Sequence, residues 1–258
     1  MKPLRLDENG IPILSRVDIE ERVERFIEYF DNSCLKEPRL TPIASICNVL
    51  SEKHNVKFVF NAELGETKEG YKYRGRFHIP STTIYIDKSL GDGGPRFNFT
   101  LAHELGHFVF HRKINIAAIS NEKEEISDTS RELVLDQIQG GNSRAWLEWQ
   151  ANKFASSLLM PRSTVQTAVI SKQKEMGINR NLGKIFLDRG HGSYTDYKEQ
   201  MDHLAFIYQS SKASLRIRLR ELGILFEPDN QNDDGRNGPN HLSRYLVEVI
   251  ENMDKNHG

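Results

Sequence analysis

The sequence predicts an α+β fold in which a small mixed or antiparallel sheet packs against several helices. Segments with apolar residues at helical spacing flank three short segments rich in β-forming residues, 56–60, 71–79 and 82–86. Pro80 and Ser81 separate the last two segments, which indicates a hairpin. A group of strands bordered by groups of helices is typical of α+β proteins.

Capping residues, prolines and glycines indicate where helices are expected to begin and end. Asp18 suits the N-cap of a first helix, and a second helix is expected to begin after Pro42. Pro95 suits the first turn of a third helix, and Gly190 with Gly192 predicts a loop over 188–195. The later predicted helices are 96–112, 144–160, 163–176, 196–209, 211–222 and 241–253.

Composition excludes several classes of protein. The chain has 258 residues, with 35 Lys and Arg against 36 Asp and Glu, so no global positive charge draws it to nucleic acid. Two cysteines, Cys34 and Cys47, are too few for a disulfide framework and lack the spacing of a metal motif. No segment approaches the roughly 18 apolar residues of a membrane span, and the N-terminus has no apolar signal core. We therefore expect a soluble, cytoplasmic protein with no membrane contact.

The segment 103–107 reads His-Glu-Leu-Gly-His. On a helix, His103 and His107 share one face about one turn apart, so both imidazoles can reach a single Zn²⁺ at about 2.0–2.1 Å. Glu104 can hold a metal-bound water and take its proton as the water attacks a carbonyl. Chance alone gives this pattern in about one chain per hundred of this length, so an amphipathic helix with incidental histidines is the alternative.

The rest of this helix favours a site. Its apolar stripe contains Phe97, Leu101, Leu105 and Phe108, and the two histidines point away from the middle of that stripe. Gly106 in a helix interior costs about 1 kcal/mol relative to Ala. A close backbone approach by a neighbouring element would explain this glycine.

A catalytic zinc site usually has three protein ligands and one water. His111 is a poor third ligand because it lies about 12 Å along the axis from His103, and side chains from three successive turns cannot converge. Glu148, on the predicted helix 144–160, is the best candidate. Asn152, one turn later, could accept the second ring N–H of a zinc-bound histidine. The alternative for Glu148 is a surface carboxylate on an amphipathic helix.

Two motifs resemble the ImmA/IrrE family of metallopeptidases. They are Phe-Thr-Leu-Ala-His-Glu-Leu-Gly-His at 99–107 and Glu-Trp-Gln-Ala-Asn-Lys-Phe-Ala-Ser-Ser-Leu-Leu-Met-Pro at 148–161. The resemblance implies a zincin-like core packed on the His-Glu-x-x-His helix, with zinc held by His103, His107 and Glu148 and with Glu104 as general base. It also implies a protein substrate, a helix-turn-helix transcriptional repressor whose cleavage regulates gene expression.

The chain departs from the family pattern in two respects. The 41 residues from His107 to Glu148 are more than compact members are expected to have, and the inserted segment is acidic. We expect it to be a solvated helix, with a flap beside the active site as the alternative. The chain also does not begin with a recognisable helix-turn-helix, so its target is expected to be a separate protein.

The expected domain organisation follows from these assignments. A zincin-like metallopeptidase domain with N-terminal helices is predicted over 1–176, and a helical region resembling a helix-turn-helix over 177–228. The segment 229–258 has the composition of a linker followed by a C-terminal helix.

Three questions stay open at the level of sequence. Four residues, His191, Tyr194, Tyr197 and His203, are unranked candidates for stabilising an oxyanion. The strand 82–86 is a candidate exposed edge that could pair with an extended substrate. The rival function is a metal-binding regulatory module that binds DNA or a partner protein without proteolysis. In it, Lys212, Arg216 and Arg220 could contact DNA phosphates. A solvated basic face is the simpler interpretation of those three residues.

Overall fold

The computed structural model describes residues 5–7, 10–68, 70–114, 125–129, 143–187 and 191–227. Within these ranges the α-helices are α1 (Arg16–Asp31), α2 (Ile43–His54), α3 (Pro95–His111), α4 (Ser143–Leu159), α5 (Arg162–Glu175), α6 (His191–Tyr208) and α7 (Lys212–Glu221). The strands there are β1 (Lys57–Ala62), β2 (Tyr73–His78), β3 (Thr83–Asp87), β4 (Glu125–Thr129), β5 (Ile185–Phe186) and β6 (Leu225–Phe226). This mixture of helices with a small sheet confirms the α+β prediction.

The main sheet is mixed and has the strand order β1-β3-β2-β4. β2 and β3 form the predicted antiparallel hairpin, and Thr82 in its turn has a φ of 50°. β1 pairs with β3 in parallel. Because β3 lies between β1 and β2, the prediction that the strand at 82–86 is an exposed edge was wrong.

The acidic insert contains a strand rather than the expected helix. Glu125–Thr129 forms β4 and pairs antiparallel with β2, with Phe77 opposite Ile126. A strand at a sheet edge is stabilised by its ladder with the neighbouring strand, and local composition does not reveal that partner. Residues 115–124 and 130–142 of the insert, together with 228–258 and its predicted helix, lie outside the described residues.

Two helix starts differ from the sequence predictions. Ser15 is the N-cap of α1, and Asp18 is the third helical residue of a capping box. The Ser15 Oγ accepts from the Asp18 N–H at 3.2 Å, and the Asp18 carboxylate accepts from the Ser15 N–H at 2.9 Å. α6 begins at His191, so residues 191–195 are helical where a loop was expected. α3 begins at Pro95, as its fixed φ predicts.

The core places α3 in the interior of the protein. This helix contacts β2 and β3 as well as α4, while α1 packs against α4. The fully buried apolar side chains that join these layers come from the sheet, α3 and α4 and are Phe77, Ile84, Ile86, Leu101, Leu105, Phe154 and Leu158. Helix α3 is therefore covered on two sides, and its polar residues from Asn98 to His111 lie in the protein interior.

Buried ion pairs attach α7 to the helices around the core. Arg218 is 1% exposed, and its guanidinium binds the Glu20 carboxylate of α1 while its Nε donates to the Met160 carbonyl at 3.0 Å. Lys153 of α4 pairs with Glu221 at the end of α7. The domain boundary at 177 stays a prediction.

In the part of the chain that the structure describes, no helix has the length and apolar character needed to cross a membrane.

Candidate metal centre

Two helices supply the side chains of the predicted site. α3 carries His103 and His107, α4 carries Glu148, and all three residues are buried. The helices approach closely at Gly106, where an added Cβ would lie 3.0 Å from the Ala151 Cα and 3.2 Å from the Ala151 carbonyl oxygen. The expectation that Gly106 marks a close backbone approach is confirmed.

The polar atoms of these three residues converge on one point. Glu148 Oε2 lies 3.1 Å from His103 Nε2 and 3.5 Å from His107 Nε2, and the two Nε2 atoms are 3.0 Å apart. Within the described ranges, these residues form the group of His, Cys, Asp and Glu whose potential ligand atoms all lie within 4.8 Å of one another. The structure thus brings together the three residues that the sequence nominated as ligands.

Asn152 lies where the sequence analysis expected a partner for a histidine. Its Oδ1 is 2.9 Å from His103 Nδ1. Because a carboxamide oxygen only accepts, His103 carries its proton on Nδ1 and presents a lone pair at Nε2 when the ring is neutral.

Burial and charge set the protonation of the cluster. Burial lowers the pKa of His107, although Glu148 opposes this shift. Burial alone would raise the pKa of Glu148, but His107 and His103 outweigh that effect and hold its pKa well below the usual range. These shifts favour a Glu148 carboxylate and a neutral His107 imidazole, which are the forms that bind metal.

The cluster fits a divalent cation. Glu148 Oε1 is buried and has no hydrogen-bond partner among the described residues. A buried carboxylate oxygen in that state is costly unless a charge neutralises it. Two imidazoles and one carboxylate are a known donor set for catalytic zinc, so a metal ion would satisfy this group.

Glu104 lies on the side of α3 that faces the sheet. The residue is fully buried. A Cβ added to Gly75 of β2 would lie 2.8 Å from Thr100 Cγ2 and closer still to Glu104 Oε1. Gly75 therefore makes room for the carboxylate. Gly75 was not among the residues predicted from sequence, although a glycine inside a strand pattern signals a close approach.

The oxyanion candidates lie on a helix whose neighbours are α5 and α7. Lys172 and, more weakly, His203 lower the pKa of Glu175, which places His203 beside the end of α5. Burial and Arg216 lower the pKa of Arg220 while Tyr197 opposes them, which places Tyr197 beside α7. Tyr194 is 56% exposed, and the side chain of His191 lies outside the described residues. None of these observations connects the four candidates to the His-His-Glu cluster.

Residues 51–177 match the family model of the IrrE N-terminal-like domain, a peptidase family. This segment belongs to the ImmA/IrrE family. It contains α3 and α4, and hence every residue of the cluster, together with the four strands of the main sheet. A comparison with curated proteins finds no match. The family points to a metallopeptidase, and the buried His-His-Glu cluster is compatible with that activity.

Proposed function

We propose that the protein is a zinc-dependent endopeptidase with a zincin-like core, whose substrate is a helix-turn-helix transcriptional repressor. The observation that carries the enzymatic part is the convergence of His103, His107 and Glu148 inside a peptidase-family domain. The repressor substrate rests on the resemblance to the ImmA/IrrE family.

The roles of the residues follow from their chemistry. His103 and His107 with Glu148 would hold the ion, and a bound Zn²⁺ supplies Lewis-acid activation of a water and of the substrate carbonyl. The Glu104 carboxylate takes a proton from the attacking water and passes it to the nitrogen of the leaving amine. Asn152 orients His103 through its Oδ1.

The rival function, a DNA-binding module without proteolysis, has less support. Each of its three basic residues is paired with a carboxylate in the chain. Lys212 pairs with Asp202, and both Arg216 and Arg220 pair with Glu227. Phosphate contacts would have to compete with these ion pairs. The endopeptidase is therefore the function that the geometry supports best.

Cleavage of a repressor tests the proposal. The full chain, loaded with zinc, is incubated with a helix-turn-helix repressor encoded beside its gene, and the products are identified by mass spectrometry. We expect cleavage at a defined peptide bond, loss of cleavage with a zinc chelator and recovery when zinc is restored. Salt-dependent DNA binding by a zinc-loaded chain that cleaves no such repressor would instead favour the regulatory module.

The position of Glu104 can be tested through Gly75→Ala. The added methyl group displaces the Glu104 carboxylate from β2, and a misplacement of about 1 Å can cost about 10²-fold in rate. We expect hydrolysis to fall by about that factor while zinc affinity stays unchanged, as measured by cleavage kinetics and chelator competition.

A double variant separates this effect from simple crowding. Thr100→Ser removes the methyl group that the new Cβ would also meet. We expect the double variant Gly75→Ala/Thr100→Ser to be more thermally stable than Gly75→Ala, while its activity stays low. If activity recovers together with stability, Gly75 has a packing role only.

A further inference from the structure

His111 lies one turn beyond His107 on α3 and is fully buried. Its Nδ1 is 2.8 Å from His107 Nδ1, and its Nε2 is 3.0 Å from Gln150 Oε1 of α4. This histidine was predicted to be a poor ligand, and its ring lies behind His107 rather than in the His-His-Glu group. Its contacts need an explanation other than direct metal binding.

The direction of these hydrogen bonds is fixed from the far end. Gln150 Nε2 donates to the Pro12 carbonyl at 2.6 Å, and because a carbonyl only accepts, the amide oxygen of Gln150 must face His111. His111 therefore donates from Nε2 to that oxygen. Only one proton fits between the two Nδ1 atoms. Because a neutral His111 carries its proton on Nε2, its Nδ1 accepts a hydrogen bond from the Nδ1–H of His107.

We propose that His111 and Gln150 are positioning residues that hold His107 in the Nδ1–H tautomer, so that its Nε2 lone pair faces the metal. This inference rests on the metal site proposed above. The partner of His103 Nδ1 is the Asn152 carboxamide, whereas His107 reaches the same state through a second imidazole and a carboxamide. Both nitrogens that face Glu148 then carry lone pairs and neither can donate to the other, which is the arrangement that a cation stabilises.

The series of hydrogen bonds ends at Pro12, which lies outside the family-matched segment 51–177. Pro12 precedes α1, and its carbonyl also accepts from Trp146 Nε1 at 3.2 Å. The neighbouring Ile11 is buried in a cluster with Leu147 and Ile114. The N-terminal segment thus fixes the Gln150 amide of α4, and Gln150 in turn orients His111 and the proposed ligand His107 of α3. We expect its removal to lower zinc affinity in chelator competition, although none of its described residues belongs to the His-His-Glu cluster.

Two substitutions at position 111 separate positioning from packing. His111→Phe keeps a ring but offers no acceptor to His107, whereas His111→Asn places an oxygen close to the position of the histidine Nδ1. Loss of an outer partner of a ligand typically costs about 10–100-fold in metal affinity. We expect that loss for His111→Phe in zinc competition with a chelator, and wild-type affinity within a few-fold for His111→Asn.

A second measurement needs no metal. In the metal-free, nitrogen-15-labelled full chain, long-range proton–nitrogen spectra report which ring nitrogen is protonated. We expect Nδ1–H for His107 and Nε2–H for His111 in the wild type, and a shift of His107 towards Nε2–H in His111→Phe.

The outcomes distinguish this inference from the proposed function. A wild type in which His107 is protonated at Nε2, or a His111→Phe variant with wild-type zinc affinity, overturns the positioning role and leaves the metal site standing. A wild type that binds no zinc but shows the expected tautomers overturns the metal site and supports the hydrogen-bonded chain.

Discussion

Glu104→Gln is expected to abolish most peptide hydrolysis while zinc stays bound. The amide has nearly the same shape as the carboxylate, so it fits the space beside Gly75, but it cannot take a proton from water. General acid–base groups typically contribute about 10²–10⁴-fold to rate, and we expect kcat to fall within that range. Cleavage kinetics with the repressor substrate measure the loss.

Zinc content is the control for this variant. Glu104 is not among the converging ligand residues, so chelator competition should give the wild-type affinity. A Glu104→Gln enzyme that keeps more than about a hundredth of wild-type kcat would fall outside the range for a general base and would assign that role to another residue.

Glu148→Gln is expected to cause the largest loss of metal affinity. The substitution keeps the volume of the buried side chain and removes the negative charge that faces both histidines. Outer partners of ligands typically contribute about 10–100-fold, and a ligand should contribute more. We therefore expect zinc affinity to fall by more than about 100-fold in competition with a chelator, with peptide hydrolysis lost at the same time.

Two comparison variants rank this effect. Asn152→Ala removes the partner of His103 and should fall in the 10–100-fold range. Glu175→Gln changes a carboxylate that is 66% exposed at the end of α5 and should leave zinc affinity unchanged. If Glu148→Gln lowers zinc affinity no more than Asn152→Ala does, Glu148 is not a ligand.

The parts of the candidate site that could be predicted from sequence depend on helical periodicity. A spacing of four residues places His103 and His107 on one face whatever the rest of the chain does. The energetic cost of Gly106 in a helix interior indicated a neighbouring backbone, and α4 occupies that place. Glu148 needed the family resemblance as well, because a lone Glu on an amphipathic helix has no distinguishing pattern.

What the sequence could not supply is set by contacts between distant segments. Gly75 faces Glu104 only because β2 packs on α3, and Gln150 meets Pro12 only because the N-terminal segment crosses α4. His111 had a local signal in its spacing of four from His107. The distance along the axis between His103 and His111 is too long for both to bind one metal ion, but it does not exclude a hydrogen bond between the rings of His107 and His111.

Fold errors have the same origin. β4 forms inside a polar, acidic segment because β2 offers it a partner, and the sequence around 125–129 does not show that partner. The N-cap of α1 lies three residues before the expected one because Ser15 and Asp18 cap each other. In both cases the local sequence allows more than one start or element, and contacts with other residues determine which one forms.

Metal content and position test the central claim most directly. Elemental analysis of the purified full chain should give one zinc per chain, and an anomalous difference map should place it between His103 Nε2, His107 Nε2 and the Glu148 carboxylate. A purified chain that carries no transition metal after incubation with zinc, or an ion bound away from those three side chains, would contradict it.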